Sequence, residues 1–110
     1  MAQHVTDQDF KKLVLESKIP VLVDFYAEWC APCKKMTPFL IKMQKEMAEK
    51  VTIVRLNADE NKTLISQLKI DVLPTLFIYK DNKIFASSWA MQAGIAYIKS
   101  LGLTRTEGNW

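Results

Sequence analysis

The sequence predicts a single α/β domain in which parallel βαβ units are closed by an antiparallel hairpin. Strand-like and helix-like stretches alternate through the first two-thirds of the chain, the signature of parallel strands joined by right-handed crossovers. Two strand-like runs, 75–80 and 83–89, are then separated only by Asp81 and Asn82, the spacing of a β-hairpin. Finally, 110 residues with 49% hydrophobic content suffice for one core and leave no room for a second.

The elements follow in order. A short strand is expected near 2–5. Thr6 or Asp7 can cap a helix, with Thr6 and Asp9 forming a looser capping box, and Phe10, Leu13 and Val14 supply its apolar side. Pro20 ends the connection. Residues 21–27, Val-Leu-Val-Asp-Phe-Tyr-Ala, are apolar on both faces except for Asp24, as in a central strand covered on both sides. Met36, Phe39, Leu40, Met43 and Met47 recur at helical spacing, so a long amphipathic helix is expected over about 33–50, with these residues in the core. Pro38 removes its bond to the Lys34 carbonyl and predicts a kink. Residues 51–56 read as the next buried strand, and 57–60 supply turn and cap residues for a short helix through Leu64, Ile65 and Leu68. After the hairpin, a last helix over about 91–101 buries Ile95, Ile98 and Leu101 and stops at Gly102. The domain is therefore expected over 1–102, with 103–110 as a flexible tail.

The net charge of +3 comes from 15 basic and 12 acidic residues spread along the chain, which argues against a nucleic-acid footprint. Residues 1–10 have neither the basic start nor the apolar core of a secretory signal, and the longest apolar run is too short to span a bilayer. A cytoplasmic location is expected.

The only two cysteines, Cys30 and Cys33, stand just after the central strand. With the second sulfur one helical turn after the first, the pair can close a small disulfide ring with little backbone movement, so the spacing reads as a redox site. Unpaired N–H groups and the positive end of the dipole at a helix start favour a thiolate. Cys30 is placed to feel them most and is the candidate attacking sulfur; Cys33, deeper in the first turn, is the candidate resolving sulfur. Pro32 suits that turn, where a missing N–H costs nothing. A structural zinc needs four ligands and the chain adds only His4, so no metal site is expected; haem attachment would require histidine in place of Lys34. Two chance core cysteines are the remaining alternative. Asp24, a carboxylate in an apolar strand, is expected to have a raised pKa and to exchange protons near neutral pH, against the alternative of a purely structural aspartate.

Residues 23–34, Val-Asp-Phe-Tyr-Ala-Glu-Trp-Cys-Ala-Pro-Cys-Lys, with Leu73-Pro74-Thr75 downstream, resemble the thioredoxin family, and the resemblance covers nearly the whole chain. A lone Cys-x-x-Cys says little; the aspartate, the Trp-Cys pair, the helix proline and the later Pro-Thr are specific in combination. The resemblance implies the thioredoxin fold, a central five-stranded mixed β-sheet flanked by four helices, and reduction of protein disulfides by reversible dithiol–disulfide exchange. It also implies a lowered cysteine pKa and a reducing potential, no bound cofactor, and electrons from an NADPH-dependent flavoprotein, thioredoxin reductase. A monomer is expected, without nucleic-acid or membrane partners.

Carried over residue by residue, the resemblance puts Asp24 beneath the cysteines as general acid/base for Cys33, through a water. It makes Pro74 a cis-proline facing the pair, and Leu73 a backbone partner for an extended substrate segment, a β-augmentation that tolerates many side chains. Trp29 shields the disulfide and lines the docking surface with Ala31, Pro32, Leu73, Pro74 and Ala90; an aromatic packed on the sheet end is the alternative for Trp29. Three residues depart from the family pattern. Ala31 replaces a glycine and stiffens the turn, Arg55 replaces a lysine near the aspartate and cannot give up its proton, and Ala90 replaces a glycine beside the groove, where its methyl narrows the set of partners. A thiol oxidase or isomerase of the same fold, and a binding module that uses the surface without turnover, remain alternatives; a redox potential separates donor from oxidant.

Overall fold

A computed structural model describes residues 3–47 and 50–88. Strands β1 (Gln3–His4), β2 (Val21–Tyr26), β3 (Thr52–Asn57), β4 (Thr75–Lys80) and β5 (Lys83–Ser88) form one sheet in the order β1-β3-β2-β4-β5. β3 runs parallel to both β1 and β2, whereas β4 is antiparallel to β2 and β5 to β4. The sheet is thus the five-stranded mixed one expected. Of the four helices expected, the described residues hold three helical segments, a π-helical one (Lys11–Leu15), α1 (Ala31–Glu46) and α2 (Lys62–Gln67). The helix expected over 91–101 and the tail 103–110 lie outside the described residues.

Period-two alternation along β2 sorts the core. Leu22 packs with Met36, Leu40 and Met43 of α1 and with Ile53, Leu76 and Ile78, while Val21, Val23 and Phe25 face the opposite cluster, against which Leu64, Ile65 and Leu68 pack. Burying each large side chain contributes about 2 kcal/mol. Asp24 and Tyr26 consequently share the face of Leu22, the one that α1 covers.

Two helix boundaries differ from expectation. α1 starts at Ala31 rather than 33 because Cys30, extended at φ −89° and ψ 104°, is its N-cap, and the exposed first turn carries no apolar period to announce it. It ends at Glu46 rather than 50, Met47 leaving the helix at φ −121° while staying buried. Pro38 lies inside α1 on its exposed side. The segment after β1 is not an α-helix from Thr6. There the Asp9 carboxylate accepts from the Thr6 N–H at 2.7 Å, fixing a turn, and the Glu16 N–H then reaches the Lys11 carbonyl at 2.9 Å, an i→i+5 bond. Five residues are too few for an apolar period to separate an α-turn from a π-turn.

The hairpin turn has φ of 53° at Asp81 and 67° at Asn82, the two positive values a type I′ turn requires. α2 ends in a Schellman motif: the Ile70 N–H bonds the Ile65 carbonyl and the Lys69 N–H the Ser66 carbonyl, both at 3.1 Å. Lys69 occupies the left-handed position at φ 57°, where a Cβ is unfavourable. Lys69→Gly should therefore stabilise the protein by about 1 kcal/mol, read as a higher urea midpoint; an unchanged midpoint would show that this turn is not strained. No helix among the described residues is long and apolar enough to cross a membrane.

Candidate functional site

The end of β2 and the start of α1 meet where buried Ala27 leads through Glu28 and Trp29 to Cys30. Cys30 and Cys33 are joined by a disulfide, their Cα atoms 5.3 Å apart. The pair is almost wholly covered, Cys30 being 3% and Cys33 0% exposed. As N-cap, Cys30 puts its sulfur at the donor end of α1, where Sγ accepts from the Cys33 N–H at 3.2 Å. One of the orphan N–H groups of the helix start is satisfied by the sulfur itself.

Tyr26, Ala27 and the two cysteines form a small cluster, and Leu73 packs against it. The Leu73–Pro74 bond is cis and Pro74 is buried. Leu73 is thereby brought to the cysteine cluster from a distant part of the chain. Ala31 and Pro32 are exposed in the first turn of α1. Trp29 stands 71% exposed, its Nε1–H donating to Asp59 at 2.8 Å, so the indole is tied to the loop after β3 rather than packed on the sheet end. Ala90 lies outside the described residues.

Asp24 is fully buried. The ladders set Arg55 of β3 on one side of it and Leu76 of β4 on the other. Arg55 Nε–H donates to Asp24 Oδ2 at 3.0 Å, whereas Oδ1 has no hydrogen-bond partner among the described residues. Burial raises the Asp24 pKa above the ordinary carboxylate value, and the charge and hydrogen bond of Arg55 offset this only in part. The raised pKa read from the apolar strand is therefore found. A cavity of about 280 Å³ opens beside the pair, lined by Tyr26, Ala27, Glu28, Cys33, Lys34, Thr37 and Arg55. Cys33 and Arg55 thus share one cavity wall.

Two residues escaped the sequence reading. Tyr26 was visible only as part of a strand, yet its ring centroid lies 4.0 Å from the Arg55 guanidinium carbon. Asp59 was visible only as a turn residue, yet it anchors Trp29. Both contacts join segments far apart in sequence, and no local pattern signals them.

The family model described as Thioredoxin matches residues 1–98. The chain belongs to the thioredoxin family. Similar relatives include a thioredoxin of Rickettsia felis, 48% identical over 83 residues, covering 76% of this chain and 79% of that one. Thioredoxin 1 of Synechococcus elongatus is 46% identical and a thioredoxin of Haemophilus influenzae 40%, with 76% of this chain and 78% of each relative covered. As in the thioredoxin family, this protein is a protein-disulfide oxidoreductase working by dithiol–disulfide exchange at the Cys30–Cys33 pair. Its partners are disulfide-bearing proteins and a reductase.

Proposed function

We propose that Cys30 attacks the substrate disulfide, Cys33 resolves the adduct, and Asp24 accepts the Cys33 proton. The observation that carries this reading is the position of Cys30 as N-cap, with the Cys33 N–H directed at its sulfur. In the reduced protein the same donor and the end of the helix dipole stabilise a Cys30 thiolate. That thiolate attacks one sulfur of the substrate disulfide, forming a mixed disulfide and releasing the other sulfur as a thiolate. Cys33 then gives its proton to Asp24, through a water, and attacks the Cys30 sulfur, restoring the Cys30–Cys33 bond and expelling the second substrate thiolate. Both released thiolates take up protons, so one protein dithiol and one substrate disulfide become one protein disulfide and two thiols.

The docking surface comprises Trp29, Ala31, Pro32, Leu73, Pro74 and Ala90, with the Leu73 backbone pairing to an extended substrate segment. An NADPH-dependent flavoprotein reductase returns the electrons, and the protein works as a cytoplasmic monomer with its domain over 1–102. Asp24→Asn should slow resolution of a preformed mixed disulfide by about ten-fold or more at neutral pH, and abolish the inflection in its pH profile, while leaving capture by Cys30 in place. Unchanged resolution across pH would remove Asp24 from the mechanism.

A further inference from the structure

An arginine beside a buried carboxylate can fork both of its oxygens, and this one does not. Only Nε–H of Arg55 meets Asp24, and only at Oδ2, leaving Oδ1 buried and without a partner. The side chain runs past the carboxylate, so that its guanidinium tip lies 4.0 Å over the ring of Tyr26, at the wall of the cavity that Cys33 also lines. We propose that Tyr26 is a positioning residue for the resolving step: its ring holds the Arg55 guanidinium against Asp24, so that the cation stays beside the carboxylate and keeps it available as the base for the Cys33 proton. The proposal rests on the reading of Asp24 as proton acceptor.

The sequence places the clamp. Asp24 and Arg55 are register partners on parallel strands, and Tyr26, two residues on, presents its ring from the same sheet face. Tyr26 is itself buried, so its ring face attracts the guanidinium with little competition from water. Burial raises the pKa of the phenol, which stays neutral while Asp24 titrates. Among the described residues, β3 sets Arg55 and β4 the apolar Leu76 beside Asp24, and the cavity that Arg55 lines also holds Cys33 and Lys34 of α1 and Glu28 of the loop before it. The charge acting on Asp24 is that of Arg55.

Without the ring, the nearest favourable surroundings for the guanidinium tip are the water of the cavity. Asp24 then loses the charge that opposes its burial, binds its proton more tightly, and is less often a free base at neutral pH. Loosening of the site by hydration alone would move the carboxyl the opposite way, which makes the sign diagnostic.

The test is titration of the Asp24 carboxyl carbon by NMR in the oxidised protein, paired with the pH profile of mixed-disulfide resolution. Tyr26→Leu should raise the Asp24 midpoint by about one pH unit and slow resolution at neutral pH several-fold, up to about ten-fold. Tyr26→Phe keeps the ring face and should restore both; Tyr26→Met serves should the leucine variant not fold. An unmoved or lowered midpoint in the ring-less variants overturns the proposal, even where Asp24→Asn shows the carboxylate to be the acceptor. A midpoint that rises while resolution stays insensitive to Asp24→Asn overturns the acceptor reading instead, and with it any catalytic role for the clamp.

Discussion

Reduced protein carrying Cys33→Ser should halt at the mixed disulfide, with substrate accumulating on Cys30 in equal amount and multiple turnover lost. The expectation follows from the unequal places of the two sulfurs. Cys30 is the one that retains a sliver of exposure and sits at the donor end of α1, whereas Cys33 is wholly covered within its first turn. Cys30→Ser, by contrast, should capture no substrate. Mass spectrometry under non-reducing conditions reads both, and capture by Cys30→Ser in place of Cys33→Ser would reverse the assignment.

The second large effect is on stability. The folded protein raises the Asp24 pKa, so it holds that proton more tightly than the unfolded chain does. The contribution of Asp24 to stability is complete below the unfolded carboxylate value and is lost as pH rises through the higher folded value. Relative to Asp24→Asn, which has no such titration, the natural protein should lose on the order of 1 kcal/mol or more between acid and neutral pH, a shift of several degrees in Tm. Comparing the two proteins by calorimetry across pH cancels the fixed difference between amide and carboxyl. The tyrosines with displaced pKa values, Tyr26 and Tyr79, are pushed upward and do not titrate in this window. Parallel stability curves would mean that Arg55 compensates the burial of Asp24 completely.

Much of this was legible in the chain. The strand at 21–27 shows as an apolar run covered on both faces, the hairpin as two strand-like runs joined by Asp81 and Asn82, and the helix bearing Met36, Leu40 and Met43 as an apolar stripe at every third and fourth position. Cys30 and Cys33 stand out by their spacing after an apolar run, and Asp24 as a carboxylate within it. The start of α1 lies two residues before the apolar stripe because Ala31 and Pro32 face solvent and answer to the cap rather than the core. The π-helical segment and the left-handed Lys69 are local backbone solutions that no side-chain pattern requires. The Tyr26–Arg55 stack and the Trp29–Asp59 bond exist only once β2 and β3 have paired, so register, which depends on the whole sheet, creates them.

The near-complete coverage of the cysteines bears on which clients can be served. Cys30, only 3% exposed, offers little contact to a flat or recessed partner surface. A bond carried on a narrow projecting segment fits the helix tip best. Bonds strung across loops, termini or partly unfolded regions should accordingly be reduced faster than those sealed inside a packed domain.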